Sequence, residues 1–513
     1  MTRWAMVADL RLCVGCQTCT AACKHANATP PSVQWRSVLD LEYGTYPDVG
    51  RTFLPVGCQH CAEPPCLEVC PSTATRKRAD GIVTIDYDIC IGCSYCMVAC
   101  PYEARFKYSK NQIAHYGKPT EVERKRFDPS RLDVANKCTF CVDRIDGGLA
   151  KGLKPGRDPE ATPACAASCI GGALIFGDMD DPNSRVSKLV SNNASFRMHE
   201  ELGTEPGFHY LWDDKLSKPG PRGKEPTLQT QWDWRAAANF ILGGTGTGLL
   251  VAVAAKAGLG FEVTPLPALA ALAAVSLGLA SVWLEISRPW RALNVYRRPN
   301  LSWMSREAWV ALPLFGCGLA AAGSGTPELW WVAAILALAF LYCQARILRA
   351  AKGIPAWRNP RLVPLIVTTG LAEGSGLFVA ASAWPTGTQE MMGPLALCLL
   401  LAVRAASWFR FRSDLAKAAP TASLAALDRQ AGTFLILGHV IPIVLLMGVF
   451  GFAGLGGGWL AVPAGLAAAL AGWRFKFILI TRASHQQGLT APSNPNGSGG
   501  TKSGWAEVEE CQP

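Results

Sequence analysis

Four groups of closely spaced cysteines lie in the first third of the sequence. They contain sixteen of the twenty cysteines: Cys13, Cys16, Cys19, Cys23; then Cys58, Cys61, Cys66, Cys70; then Cys90, Cys93, Cys96, Cys100; then Cys138, Cys141, Cys165, Cys169. A C-x2-C-x2-C loop holds three irons of a cubane [4Fe–4S] cluster, and a more distant cysteine, often before proline, binds the neighbouring cluster. Two such groups predict an interlocked pair of clusters, so four groups predict four clusters.

Two other uses of these cysteines are disfavoured. Zinc sites favour two cysteine pairs with tetrahedral closure and need no third cysteine two residues further on. A disulfide scaffold needs an oxidising compartment. The stretch MTRWAMVADLRLC leads directly into the first group without an apolar signal segment or a twin-arginine motif. We therefore expect this half to stay in the reducing cytoplasm, unless a partner carries it across the membrane.

The elements that position these cysteines are short. The stretch DGIVTIDYDICIGC is typical of a strand, a turn and a cluster-binding loop, and the loops between the groups are rich in glycine and proline. We expect an α+β dicluster-ferredoxin-like domain over residues 1–200, made of two interlocked ferredoxin-like folds with one inserted in the other. We expect residues 171–230 to be mostly irregular, with a strap and linker over 201–235, and residues 486–513 to be a disordered tail.

The second half of the chain consists of apolar segments of about the length that crosses a bilayer. Eight are predicted, at roughly 236–256, 265–287, 307–324, 328–348, 362–384, 393–411, 432–453 and 458–480. Residues 236–485 should therefore form an all-α, eight-helix transmembrane bundle. An even number of spans places both ends of this half on one side of the bilayer.

The basic residues indicate which side that is. The net charge of +10 arises mostly after residue 231, and the connections on the side of the cysteine-rich half carry fourteen basic residues against Lys256 alone on the other side. This asymmetry predicts that the cysteine-rich half faces the cytoplasm at the inner membrane. Because the basic excess lies between apolar segments, nucleic-acid binding is disfavoured.

Several ionisable residues fall within or at the ends of the predicted spans, where such residues are functional candidates. They are Glu285, Arg288, Glu307, Glu373, Arg404 and His439. As a set they suggest a quinone pocket, since quinone reduction consumes protons as well as electrons. Simpler interpretations remain open. Glu285 and Glu307 could pair at the interface with Arg288 and Arg306. Glu373 could join close-packed helices, Arg404 could extend to the interface, and His439 could be a satisfied interior group.

A haem-bearing anchor is disfavoured. A haem b with two histidine ligands needs two membrane histidines, and only His439 of the seven histidines lies within a predicted span. We therefore expect no haem, and electrons would pass directly between a cluster and quinone.

The stretches GCQHCAEPPCLEVCP, DICIGCSYCMVACPYEARF and KCTFCVDR resemble the four-cluster iron–sulfur subunit of the dimethyl-sulfoxide-reductase family. Residues 236–485 resemble the eight-span membrane anchor of that family through SRPWRALNV and LSWMSREA. The two are usually separate chains, so this protein resembles a natural fusion of them. The resemblance implies a partner subunit that holds a molybdopterin cofactor, with the quinone site in the anchor.

The resemblance also implies how the cysteines are shared among clusters. The implied sets are Cys13, Cys16, Cys19 and Cys169 (cluster 1); Cys138, Cys141, Cys165 and Cys23 (cluster 2); Cys58, Cys61, Cys66 and Cys100 (cluster 3); and Cys90, Cys93, Cys96 and Cys70 (cluster 4). Two departures stand out. Many family anchors have His-Leu-Gly-x-Pro where this chain reads Glu285-Ile-Ser-Arg-Pro289, so a quinone-site histidine is replaced, whereas the glutamate of Ser-x-Glu is kept as Glu307. In addition, Cys169 is followed by isoleucine instead of proline.

These features predict an electron-transfer and anchor subunit that links a molybdopterin subunit to the quinone pool and transforms no organic or sulfur substrate itself. Within the family that the chain resembles, a catalytic part that is not exported is typical of the sulfite-oxidising and phenylacetyl-CoA-oxidising branches. The resemblance therefore implies oxidation of a substrate of one of these types, with quinone as acceptor. One alternative is the reverse flow, from quinol to a terminal reductase of the dimethyl sulfoxide, polysulfide or tetrathionate type. Another is a redox-driven proton translocator that uses Glu373 and Arg404.

Overall fold

The chain forms two compact units in the computed structural model, which describes residues 2–114, 117–218, 223–382, 391–452 and 457–492. The described residues up to Thr227, together with those from Gln486 onward, form the first unit. Leu228–His485 form the second unit.

The strands all belong to the first unit and are short, apart from one hairpin. They are β1 (Trp4–Asp9), β2 (Arg36–Thr45), β3 (Asp48–Gly57), β4 (Thr75–Lys77), β5 (Val83–Ile85), β6 (Leu174–Asp178), β7 (Ser195–Phe196), β8 (Phe208–Leu211), β9 (Gly223–Lys224) and β10 (Leu489–Thr490).

Helices are short in the first unit and, apart from the four-residue α12, longer in the second. Those of the first unit are α1 (Thr18–Asn27), α2 (Pro65–Glu68), α3 (Tyr95–Ala99), α4 (Glu121–Arg126), α5 (Val142–Ala150), α6 (Ala164–Ala167) and α7 (Arg185–Asn192). Those of the second are α8 (Trp234–Gly258), α9 (Pro265–Glu285), α10 (Trp303–Ser324), α11 (Pro327–Ala350), α12 (Pro355–Arg358), α13 (Leu362–Ala381), α14 (Met392–Leu415), α15 (Thr421–Leu435), α16 (Ile441–Gly451) and α17 (Ala461–Thr481).

The first unit is built as one ferredoxin-like fold nested in another. Strand β1, which precedes the first cysteine group, pairs antiparallel with β6, which follows the fourth group. Strand β4, which follows the second group, pairs antiparallel with β5, which precedes the third. The inner hairpin thus lies in the chain between the two halves of the outer pair. This arrangement, with the helical bundle that follows, confirms the predicted fold class.

The segment 171–230, predicted to be mostly irregular, is more regular than expected. It contains β6, α7, β7 and β8, and β8 pairs parallel with β1 in a sheet of order β6-β1-β8-β7. These elements cover fewer than half of the described residues of the segment, so the expectation fails at the sheet and at α7 but holds for the rest of the segment. Strand β8 also falls within 201–235, the range predicted to be a strap and linker. The two strand sequences, LIFGD and FHYL, are nearly continuous apolar runs that are buried on both faces, so they lack the alternation that identifies a half-buried strand.

The predicted disordered tail begins later than expected. Residues 486–492 belong to the first unit, where β10 pairs with β9 and Leu489 and Ala491 are buried. The assignment of disorder to 486–492 was therefore wrong. Residues 493–513, like residues 219–222 of the predicted linker, lie outside the described residues.

Within the described residues, eight helical segments of the second unit are long and apolar enough to cross a membrane. The seventh runs from Thr421 to Gly451, starting earlier than predicted, because α15, a π-helical turn at Ile436–Val440 and α16 are continuous. Helix α8 contacts α9, α11, α13 and α17. A Cβ atom on Gly374 of α13 would lie 1.9 Å from the main-chain nitrogen of Leu249 in α8, so glycine permits this close approach.

Candidate functional site

The sixteen cysteines of the first unit come together in four sets of four. One cavity is lined by Cys13, Cys16, Cys19 and Cys169, a second by Cys58, Cys61, Cys66 and Cys100, and a third by Cys70, Cys90, Cys93 and Cys96. The remaining cysteines, Cys138, Cys165 and Cys141, are electrostatic neighbours of Cys23. These are the same four groupings that the family resemblance implied.

Each short helix next to these cavities contributes to two sets. The third and fourth cysteines of each group lie four residues apart on or just after α1, α2, α3 and α6, in the pairs Cys19/Cys23, Cys66/Cys70, Cys96/Cys100 and Cys165/Cys169. The members of each pair belong to different sets. The helices therefore hold neighbouring sets at a short, fixed separation, as interlocked clusters require.

The loops at the start of the first and third cysteine groups contain residues with a left-handed backbone conformation. Gly15 and Gly92 of the CVGC and CIGC stretches have φ of 67° and 71°, which glycine adopts without steric cost. A Cβ atom on Gly15 would also lie 2.3 Å from the Phe53 ring. Gln17 and Ser94, at the N-caps of α1 and α3, are left-handed as well. These turns direct successive sulfurs of one loop toward a common cavity.

Without a metal, burial favours the neutral thiol form of these cysteines, so a thiolate at these positions requires a cation. Burial raises the pKa of Cys138 to about 12 and that of Cys165 to about 11, so the anionic form needs a positive partner such as iron. Main-chain N–H groups point at the sulfurs, with Phe140 N–H donating to Cys138 and Leu174 N–H to Cys169, both at 3.4 Å. Such bonds tune iron–sulfur clusters.

The four cysteines of each set do not converge on one position as the ligands of a single metal ion do. Within the described residues, no three His, Cys, Asp or Glu side chains are placed to hold a single metal ion. A cubane is bound at four separate corners, so its ligands need not converge as those of a single ion do. The donor chemistry and the four-cysteine cavities therefore fit iron–sulfur clusters.

In the second unit, Glu307 lies in a polar site between three helices. It is 5% exposed near the start of α10, and its carboxylate neighbours are the side chains of Asn239 on α8 and Gln344 on α11. Gln344 donates to the main-chain oxygen of Asn239 at 3.1 Å. One oxygen each of Glu307, Asn239 and Gln344 has no hydrogen-bond partner among the described residues. Because buried polar atoms are almost always paired, this site can accept a polar ligand.

The interfacial interpretation of Glu307 was wrong. Arg306 does not pair with it, and instead donates to the main-chain oxygens of Pro299 at 2.8 Å and Asn300 at 2.7 Å. Its guanidinium also stacks over Trp303, 4.1 Å from the ring centre. Glu307 is therefore a buried carboxylate inside the bundle.

Glu373 forms a fully buried ion pair. Its Oε2 accepts from Lys476 Nζ of α17 at 2.7 Å and from Thr245 Oγ1 of α8 at 2.9 Å. Lys476 also donates to the main-chain oxygen of Phe240 at 2.9 Å. Glu373 therefore links α13 to α17 and α8 through an ion pair and a hydrogen bond.

Arg404 and His439 lie together near the π-helical turn. Arg404 Nε donates to His439 Nε2 at 3.0 Å and Nη1 donates to the main-chain oxygen of Ala468 at 3.1 Å. The guanidinium is fully buried and stacks over Phe434, 5.2 Å from the ring centre. Arg404 therefore does not extend to the interface. His439 is satisfied through both ring nitrogens, since Nδ1 contacts the main-chain oxygen of Phe434 at 3.0 Å.

Two further predicted residues lie at the end of α9 and just beyond it. Glu285 is the last residue of α9 and is 8% exposed, and Arg288 is the residue before the 3₁₀ helix Pro289–Arg297. The structure gives Arg235 as a charged neighbour of Glu285. A cavity of about 620 Å³ does occur in this unit, but Lys256, Ser382 and Ala461 in its lining place it at the opposite helix ends from Glu307. None of the predicted quinone residues lines it.

Sequence reasoning missed several residues of these sites. Lys476 stands in the apolar run AGWRFKFILI, so the rule for ionisable residues in spans could have found it. Asn239 and Gln344 carry no charge, so a search for ionisable residues within the spans does not find them. Arg36 and Arg105 are buried among the cysteine sets of the first unit, which no local sequence pattern reveals.

Comparison with known proteins agrees with this architecture. The family model of the 4Fe-4S dicluster domain matches residues 49–127. A selenate reductase subunit of Mesobacillus selenatarsenatis is 42% identical over 224 residues, which cover 41% of this chain and 72% of that protein. A putative dimethyl sulfoxide reductase iron-sulfur subunit of Halobacterium salinarum is 38% identical over 254 residues, covering 46% of this chain and 89% of that protein.

A sulfite dehydrogenase subunit of Allochromatium vinosum is 37% identical over 228 residues, which cover 41% of this chain and 83% of that protein. The relatives' names thus include both reductases and a dehydrogenase. The chain belongs to the iron–sulfur subunits of the dimethyl-sulfoxide-reductase family, and its described residues add the eight apolar helices expected of a fused membrane anchor.

Proposed function

We propose that this protein carries electrons between a molybdopterin-containing catalytic subunit and the membrane quinone pool through four [4Fe–4S] clusters. The grouping of sixteen cysteines into four sets of four supports this most directly. The proposed ligands are the four sets, numbered as clusters 1 to 4 in the order given by the family resemblance. A bound [4Fe–4S] cluster supplies a centre that takes up and releases one electron.

The chain's own residues hold these centres close together and limit contact with water. The helices that share cysteines between sets fix the spacing within the pairs 1–2 and 3–4. Cys66, Cys96 and Cys165 are buried, whereas Cys16 of the first set is exposed. Cluster 1 would therefore be the member of its pair that is more open to solvent.

At the membrane end, the site of Glu307, Asn239 and Gln344 is the proposed place of quinone chemistry. The carboxylate of Glu307 would exchange the proton that accompanies electron transfer to a quinone oxygen. The amides of Asn239 and Gln344 would orient the quinone by hydrogen bonding. Glu285 and Arg288 would form the outer edge of this site, and no haem takes part.

The positive-inside distribution supports a cytoplasmic position for the cluster unit, at the inner membrane. We propose that a cytoplasmic substrate of the phenylacetyl-CoA or sulfite type is oxidised and that quinone accepts the electrons. Protease treatment of inverted membrane vesicles tests the orientation, since it should remove the cluster unit. Protection in inverted vesicles, with cleavage in right-side-out vesicles, would place the cluster unit on the opposite side of the membrane. It would also remove the support for electron flow from the substrate to quinone.

The buried polar groups of the second unit favour a second candidate, redox-driven proton translocation. The neighbouring carbonyls of Asn239 and Phe240 accept from Gln344 and Lys476, so the Glu307 site adjoins the Glu373–Lys476 pair. Buried ionisable groups in membrane proteins often mark proton paths.

Replacing Glu373 by glutamine tests that candidate. If Glu373 carries protons, Glu373→Gln in sealed vesicles should retain electron transfer to quinone but lose the proton movement that accompanies turnover. Glu328→Gln, at an exposed glutamate at the start of α11, is the matched control. Intact turnover together with intact coupling in Glu373→Gln would eliminate the translocator.

Purification of the intact protein from membranes in mild detergent, followed by mass spectrometry and metal analysis, tests the proposed function. A large subunit with molybdenum or tungsten should accompany the iron of this chain. Iron alone, with no large partner, would contradict the proposed complex and would favour soluble electron donors.

A further inference from the structure

Two guanidinium groups are buried in the first unit without an Asp or Glu partner among the described residues. Arg36, the first residue of β2, is 1% exposed, and Arg105, shortly after the third cysteine group, is 5% exposed. Arg36 donates to the sulfur of Met6 at 3.2 Å and lies 4.8 Å from the centre of the Phe208 ring. Arg105 donates to Thr75 Oγ1 at 3.2 Å. Nε and Nη1 of Arg36 and Nη2 of Arg105 have no hydrogen-bond partner in the part of the chain that the structure describes.

The groups that these arginines face are cysteines. Arg36 interacts electrostatically with Cys165, Cys138 and Cys23, three members of the proposed cluster 2 set. Arg105 interacts with Cys66, Cys58 and Cys100 of the cluster 3 set and with Cys96 of the cluster 4 set. Arg36 is thus close to the cysteines of the proposed cluster 2. Arg105 lines the cavity of the proposed cluster 3 set and is close to Cys96 of the cluster 4 set.

A buried cation is costly unless an anion lies close to it. Lys137, which is also fully buried, is stabilised differently, since its ammonium donates to the main-chain oxygens of Val83 and Cys138. Within the described residues, Arg36 and Arg105 have no comparable set of oxygen acceptors. A cluster with four thiolates carries a net negative charge, and that charge increases by one when the cluster takes up an electron. The arginines therefore interact more favourably with a reduced cluster than with an oxidised one.

We propose that Arg36 and Arg105 set the reduction potentials of the clusters beside them, Arg36 for cluster 2 and Arg105 for clusters 3 and 4. This proposal rests on the proposed cluster assignment. The two arginines would act on the clusters through their positive charge and would not be catalytic residues. The step is a one-electron exchange between neighbouring clusters. No proton moves, because an arginine side chain stays protonated. Net charge near a cluster is one of the main determinants of its potential.

A redox titration of the intact protein, followed by electron paramagnetic resonance, tests this proposal. In Arg105→Gln, the potential of at least one cluster should fall by about 59 mV, which corresponds to a tenfold change in the one-electron equilibrium. Arg36→Gln should lower the potential of a different cluster. Arg51→Gln is the matched control, because Arg51 is 58% exposed, pairs with Asp40 and also lies over a phenylalanine ring. The cluster reduction potentials of Arg51→Gln should equal those of the unaltered protein.

Iron content separates this inference from the proposed function. Full iron content with unchanged potentials in both glutamine variants would overturn the inference while leaving the four clusters in place. An unaltered protein that binds fewer than four clusters would instead contradict the proposed function. If Arg105→Gln fails to assemble, Thr75→Asp places a carboxylate against Arg105 and should lower the same potential. An unchanged potential in that assembled variant would also overturn the inference.

Discussion

Glu307→Gln should block electron transfer between the clusters and quinone while leaving the clusters intact. The substitution keeps the size of the side chain but removes the group that exchanges a proton. Loss of a positioned acid or base typically slows a reaction by about 100-fold or more. The measurement is the rate at which a quinone analogue oxidises the pre-reduced clusters, with iron content and cluster spectra as the check on assembly.

Two controls make the result specific to the Glu307 site. Glu328→Gln removes an exposed carboxylate at the other membrane face and should leave the rate unchanged. Oxidation by ferricyanide, which needs no quinone site, should be equally fast in Glu307→Gln and in the unaltered protein. Unchanged quinone kinetics in Glu307→Gln would eliminate this residue from the quinone site.

Cys100→Ala should remove the cluster bound by the second cysteine group, not the one bound by the third group in which Cys100 lies. In the structure Cys100 lines the cavity of Cys58, Cys61 and Cys66, while Cys70 lines the cavity of the third group. The expected loss is one cluster's iron and one paramagnetic signal. If electrons pass through the proposed clusters in series, transfer to quinone should also fail.

Comparison with two further variants identifies the missing cluster. The spectrum of reduced Cys100→Ala should match that of Cys61→Ala, which removes a ligand of the same set, and should differ from that of Cys93→Ala. Cys343→Ala, at a buried cysteine of α11, should keep every signal. A Cys100→Ala spectrum that matched Cys93→Ala would show that the groups are not interlocked.

The cysteine sites were predictable from sequence because a cluster-binding loop is a local feature. The spacing from Cys90 to Cys100 fixes which sulfurs come from one loop, and the distant fourth cysteine follows from the chemistry of paired clusters. The eight apolar helices were predictable for a similar reason, since length and hydropathy alone identify a span. Strands β6 and β8 were missed because their short apolar runs have no periodicity of their own.

The polar sites of the membrane unit could be predicted only in part. A charged residue in a span is visible in the sequence, but its partner lies on another helix. The sequence therefore pointed to Glu373 without its partner Lys476. It also left open an interfacial position for Arg404, which the structure places inside the bundle against His439. Helix packing decides such pairs, and a single sequence does not encode it in any local pattern.

Oxidation of the clusters of this chain by quinone is the property to measure first. The purified protein would be reduced with dithionite, freed of excess reductant and mixed anaerobically with a menaquinone or ubiquinone analogue, with the cluster signals followed over time. We expect the clusters to become oxidised on mixing and the Glu307→Gln variant to slow this step. Clusters that stay reduced with quinone, but are oxidised by ferricyanide, would contradict a direct link between the iron–sulfur unit and the quinone pool.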